Sequence, residues 1–230
     1  MPFAAALVGA LMATAVHGAD VDHAFQSATG RVSQLRPIDE AVQEPALVAL
    51  RDQLLRLAGE KSDRDIRAFM TAELRTKVPA PLSFEALRRA LSLGGSFTTS
   101  RGAVLGRREF CAPYTYSAFP ELVQLTPELG GEADYWVVTG SRVPVRARPS
   151  VDAPVQSYLS YAIVRLTEAE ILKDARGRPE WAIVALRGNA KGYVPAALVR
   201  NTVDYAVCFA KVNERWLMTV FNKRFPPAAY

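Results

Sequence analysis

The sequence predicts an α+β protein: a helical N-terminal region with short strands, then a small β-rich module, then a C-terminal β-hairpin packing back on the N-terminal unit. Three observations predict it. Apolar residues recur at helical spacing between Asp39 and Gly94. After Gly95 the helical period is lost. From Tyr135 onward, β-type runs are punctuated by turn residues at Gly140, Pro149, Gly177 and Gly188. Half of the 230 residues are hydrophobic, enough for a packed core and too many for a wholly disordered chain.

Residues 1–19 read as a secretory signal. The apolar run from Phe3 to Val16 has the length of a signal core and is too short to span a bilayer. Gly18 and Ala19 supply small residues for cleavage, and a cut after Gly18 places Val16 three positions before it. No Lys or Arg precedes the run, and a buried N-terminal helix is the alternative. The expectation is a periplasmic or secreted protein with no transmembrane span in the mature chain.

Residues 20–134 form the N-terminal region. Residues 20–38 read as a linker with some helix. A helical pattern starts at Asp39. Pro45 suits a first turn, where its missing N–H costs nothing. Leu47, Leu50, Leu54, Leu55 and Leu57 follow near helical spacing, and Gly59 can end the helix. Ser62 starts a second helix with Asp65 as a capping-box partner, and Ile66, Phe69, Met70 and Leu74 form its stripe until Pro79 and Pro81. Ser83 starts a third. Leu82 and Leu87 sit where a hydrophobic staple places them, Glu85 and Arg88–Arg89 follow the helix dipole, and Gly94-Gly95 stops it. SFTTS, GAVLG and REFCAPYTYSAF read as short strands, and 120–134 as a connector rich in Pro, Gly and acid.

The β-rich module spans 135–200, and 201–230 supplies a hairpin and tail. The hairpin turns at Asn213 and Glu214. A two-residue loop puts Tyr205, Val207, Phe209, Trp216, Met218 and Val220 on one face, and Ala206, Cys208, Ala210, Leu217 and Phe221 on the other. Both faces are apolar, so both should be covered.

Charge and cysteines narrow the role. Residues 20–134 carry a net −2, 135–200 a net +5 and 201–230 a net +2. The positive charge thus lies in the β-rich module and tail, compatible with an anionic envelope polymer, an acidic partner or lipid headgroups, or with an unpartnered basic surface. Export argues against nucleic acid. Two cysteines, Cys111 and Cys208, suggest one disulfide in an exported chain; two free buried thiols are the alternative. They lack metal-site spacing, and no other soft ligand accompanies them.

Residues 137–199 carry a further pattern. Val143, Pro144, Val145, Arg146, Ala147, Arg148, Pro149 and Ser150 form an opening strand and turn. Val155 and Leu159 follow, then Trp181 and Val184 as W-x-x-V. Gly192, Tyr193, Val194 and Leu198 close the pattern. In these residues the segment resembles bacterial SH3-like domains, which implies a small SH3-like β-barrel and a peptide- or glycan-binding role. Arg148 stands where the family has glycine, and Thr167–Glu180 is longer than the usual loop. Both departures fall where a family ligand groove would lie.

The ligand-binding candidates are Arg146, Arg148, Tyr158, Tyr161, Trp181 and Tyr193. Trp181 and Tyr193 form either an aromatic platform or part of the barrel core. Arg165, Arg178, Arg187 and Lys191 extend a possible basic face. No catalytic residue, metal site or cofactor is predicted. His17 leaves with the signal, so His23 alone remains as an imidazole base, and no Gly-rich phosphate loop is present. Asp63 with Asp65, and Asp39 with Glu40, read as helix-start residues, leaving an envelope hydrolase with paired carboxylates as the weakest alternative. The expectation is an exported, non-catalytic accessory protein that binds peptidoglycan or an envelope protein. The alternative is an assembly protein whose barrel packs only internally.

Overall fold

A computed structural model describes residues 34–99, 108–117, 135–166, 168–186, 190–201 and 204–223. The expected signal, the GAVLG strand, the 120–134 connector, Gly188 and Arg187 lie outside these residues. Mixed helices and antiparallel sheets make the fold α+β.

The helices follow local chemistry. A 3-10 turn, Glu40–Gln43, is capped by Asp39, whose carboxylate accepts from the Ala41 amide at 3.3 Å. α1, Pro45–Gly59, then begins with proline in its first turn and buries Leu47, Leu50, Leu54 and Leu57. The expected second helix is instead two: α2, Asp63–Arg67, and α3, Ala72–Lys77. The break has a tertiary cause. The Thr71 amide donates to the Met218 carbonyl at 3.0 Å, and the Met218 amide donates to the Phe69 carbonyl at 2.8 Å. These bonds divert the backbone, and Thr71 recaps the chain by accepting from the Leu74 amide. Ser62 does not complete a capping box; its hydroxyl donates to the Asp65 carboxylate instead. α4, Phe84–Leu91, starts as expected: Ser83 accepts from the Ala86 amide, and Leu82 and Leu87 are buried together. It ends before Gly94, whose φ is +67°.

β1 (Ser96–Thr99) and β2 (Arg108–Ala112) pair antiparallel. Gly95 meets β2 so closely that a methyl group there would overlap the Cys111 carbonyl. Tyr114–Ser117, expected as strand, is a single helical turn, α5. Its start at Pro113 explains the change, because proline fixes φ and offers no ladder donor.

The module then runs β3 (Tyr135–Val138), β4 (Val143–Arg146), β5 (Val155–Leu159), β6 (Ile163–Arg165), β7 (Ile171–Lys173), β8 (Pro179–Ala185), β9 (Lys191–Pro195) and β10 (Val199–Asn201). Two antiparallel sheets result, β10-β3-β6 and β5-β4-β9-β8-β7. The sheets are not joined into one closed ladder among the described residues. They share a core of Val143, Val145, Leu159, Val164, Val184, Val194 and Val199. Gly192 leaves the room that the Val145 side chain fills, so its small size serves packing rather than a special φ. The long Thr167–Glu180 interval contains β7 and the turn into β8. Asp174 organises that turn by accepting from the Arg176 and Arg178 amides.

β11 (Tyr205–Val212) and β12 (Arg215–Lys223) form the C-terminal hairpin. Asn213 and Glu214 have φ of +49° and +61°, the signature of a tight hairpin turn. The faces differ from the simple alternation. A bulge between Cys208 and Phe209 places Val207 opposite Phe221 and Cys208 opposite Val220. The extra residue returns Phe221 to the face of Val207, Phe209, Trp216 and Met218, which packs on the helices. β11 is buried on both faces.

The sheet order β1-β2-β11-β12 joins the strands that follow α4 to the C-terminal hairpin. Cys111 and Cys208 lie directly opposite each other on β2 and β11 and form a disulfide. The module strands therefore fall, in sequence, inside the span that this bond closes.

Candidate functional site

The described residues place a cleft of about 550 Å³ at one edge of the module. Three segments line it: Gln34, Arg36 and Pro37; Ser141 and Arg142; and Tyr158, Ser160 and Tyr161. The first segment, read from sequence as part of a linker, is docked. Gln34 bridges Ala162, and the Leu35 amide donates to the Tyr161 carbonyl at 2.8 Å. Leu35 also packs with Tyr114, Val137 and Ile163, tying this segment to α5, β3 and β6.

Two turns shape the cleft with unusual backbone. Arg142 and Tyr161 have φ of +50° and +52°, a region that glycine or asparagine occupies at lower cost. Hydrogen bonds hold both. The Arg142 amide donates to the Ser160 hydroxyl at 2.9 Å, and the Tyr161 amide donates to the Gly140 carbonyl at 2.9 Å. The Arg142 guanidinium lies 4.9 Å from the Tyr158 ring centre. A cation over an aromatic face contributes about 0.5–1 kcal/mol at an exposed site and holds both groups in place. Tyr158 is 38 % exposed, so the stacked pair is open to solvent.

Behind the cleft, Tyr114 is buried. Its hydroxyl has no hydrogen-bond partner among the described residues. Burial pushes its pKa above the usual phenol range, and the Tyr161 phenol pushes it further the same way. Tyr114 therefore stays neutral and polar next to the cleft wall.

Comparison with family models, with curated proteins and with solved structures finds no match.

The structure brings together only part of the sequence-predicted set. Tyr158 and Tyr161 share the cleft. Trp181, at 6 % exposure, sits in the interior beside Leu172 and Pro195 on neighbouring strands. Tyr193 is half-buried on β9 between Arg146 and Ile183. Arg146 donates to the Ala153 carbonyl at 2.7 Å and stabilises the turn after β4. Arg148 is exposed on that turn and Lys191 is exposed on β9. Arg178 pairs with Asp174 at 2.7 Å within its own loop. Arg36, Ser141, Arg142 and Ser160 were not singled out by sequence. The sequence signal nearest to them is the turn at Gly140, which places Ser141 and Arg142 in a loop.

A second charged cluster lies where α4 meets the C-terminal strands. Arg89 pairs with Asp204 at 2.9 Å. Burial lowers the Arg200 pKa, and neighbouring Arg89 lowers it further. No group of three or more His, Cys, Asp or Glu among the described residues is placed to hold a metal. No helix among them is long and apolar enough to cross a membrane.

Proposed function

We propose that this is an exported accessory protein whose SH3-like module binds peptidoglycan or an envelope protein. The carrying observation is the open cleft containing Tyr158, Tyr161, Arg36 and Arg142. Aromatic faces suit sugar rings and peptide planes, and guanidiniums suit carboxylates on either polymer. The disulfide supports an oxidising compartment, and the apolar run Phe3–Val16 supports export. The family motifs at 143–150, 181–184 and 192–198 support an SH3-like reading of the two small sheets.

Retention of purified protein on isolated sacculi at low salt tests this. The wild type is expected to be retained, and Tyr158→Ala to lose most of that retention while keeping a native circular dichroism spectrum. Retention of neither protein would overturn the wall-binding form.

A second reading is an assembly protein whose module packs only internally. The burial of Trp181 favours it, since that ring serves the interior rather than an open platform. Equal behaviour of wild type and Tyr158→Ala on sacculi, with unchanged stability, is the outcome it expects.

A further inference from the structure

We propose that the groove between α1 and α4 docks an acidic amphipathic segment of a partner protein, with Lys61, Arg88 and Arg89 meeting its carboxylates and Leu55 and Phe84 receiving its apolar side chains. The groove shares no residue with the module cleft and is a second site, independent of that reading.

Three observations carry the inference. The first is chemistry. The groove encloses about 580 Å³, and Leu55 and Phe84 on its floor pack half-buried against the helical core. Lys61, Arg88 and Arg89 line it together with one carboxylate, Glu85. Arg89 gives one nitrogen to Asp204 at 2.9 Å, and Arg88 is exposed at the neighbouring position. The second is the end of α1. The Ser62 amide donates to the Leu57 carbonyl at 3.0 Å and the Lys61 amide to the Ala58 carbonyl at 3.4 Å, which is a Schellman closure. Its left-handed residue is Lys61, φ +56°, where glycine is the usual choice. The glycine stands earlier, at Gly59, inside the helix and without a left-handed φ. A methyl group added there would meet nothing within 4 Å. Neither turn geometry nor internal packing calls for glycine at that place, and alanine would favour the helix. The pair acts on the groove instead: Gly59 leaves its floor clear for an incoming backbone, and Lys61 sets a cation on its rim. The third is the charge behind the rim. Half-buried Arg200 lies close enough to Arg89, Asp204 and Glu85 for each to act on its charge. Among the described residues, four cations here share the carboxylates of Glu85 and Asp204, and an arriving anion offsets that excess.

The same surface favours a peptide over a bilayer. Helices that lie on lipid push protruding apolar side chains into it. None of the exposed large apolar side chains among the described residues lines this groove. Leu55 and Phe84 are recessed, where side chains of a helix or extended segment reach them by entering the groove.

The test uses the full chain with its disulfide intact and fluorescence anisotropy at low salt. The probe is a dye-labelled peptide of repeated Glu-Leu-Leu-Glu units. Its controls are the Gln-Leu-Leu-Gln and Glu-Ser-Ser-Glu equivalents and vesicles of phosphatidylglycerol. The probe is expected to bind about tenfold or more tightly than either control peptide. Arg88→Gln should weaken it about threefold to tenfold. Gly59→Leu, which fills the floor, should weaken it about tenfold while its denaturation midpoint holds or rises. Lys61→Gly should weaken it about threefold and also hold the midpoint, since glycine accepts the positive φ. Tyr158→Ala, in the module cleft, should leave binding within about twofold. No binding by the wild type, undiminished binding by Gly59→Leu, or an equal loss in Tyr158→Ala would overturn the proposal. Vesicle binding that Gly59→Leu and Arg88→Gln abolish, without binding of the peptide, would also overturn it and assign the groove to a membrane surface.

Discussion

At the scale of single residues, Tyr114 and Arg142 represent two kinds of cost. Tyr114 buries a hydroxyl without a partner among the described residues. An unsatisfied buried polar group costs about 1–3 kcal/mol, so Tyr114→Phe is expected to raise stability by about 1 kcal/mol, read as a higher denaturation midpoint at unchanged slope. The same burial has a pH consequence. The folded phenol binds its proton more tightly than the unfolded one, so stability holds below the ordinary phenol value near 10 and falls as pH rises past it. In Tyr114→Phe that alkaline loss should shrink. Arg142 carries its cost in the backbone, and its guanidinium lies over an exposed ring in return. Neither was legible from sequence. Burial of Tyr114 depends on Leu35, Val137 and Ile163, which lie far from it along the chain. The φ of Arg142 is fixed by Ser160, across a strand pair.

At the scale of elements, locality decided what could be read. The start of α4 was legible because Ser83, Leu82 and Leu87 act within one turn. The break between α2 and α3 was not, because Met218 supplies the competing hydrogen bonds. The hairpin turn was legible at Asn213-Glu214, whereas the bulge beside Phe209 answers to helix packing on one face only. The turn can be improved. Glu214 at φ +61° is a poor fit for a position that favours glycine, so Glu214→Gly should stabilise by about 0.5–1 kcal/mol in equilibrium denaturation. Asp63 joins α2 to the entry of α4. It accepts from Arg67 at 2.6 Å and from the Leu82 amide at 2.9 Å. The hydrogen bond from Arg67 holds its carboxyl below the usual Asp value, against a smaller opposing effect of burial. A lowered folded pKa means the contribution is complete above the unfolded value, near 4, and is lost as pH falls through the folded one. Asp63→Asn should therefore cost about 1 kcal/mol or less at pH 7 and nothing in strong acid, measured as denaturation midpoints across that range.

At the scale of the molecule, β1 and β2 build one sheet with the C-terminal hairpin, and the module strands lie between them in sequence. The paired cysteines were legible by count and by the expectation of export, but their direct opposition across β2 and β11 required the sheet order. The cleft was the least legible feature, since three segments with no shared motif compose it. Reduction of the disulfide should lower stability by about 2–5 kcal/mol, seen as a lower denaturation midpoint in reductant. The same bond closes the chain between Cys111 and Cys208 into a covalent ring. A protease that cuts once anywhere between Ala112 and Val207 opens the ring without freeing either piece. Limited digestion should therefore leave a single band of nearly full mass on a non-reducing gel, and two fragments after reductant. In a compartment rich in proteases, a nicked molecule of this kind would keep both halves of its β2–β11 pairing at fixed proximity.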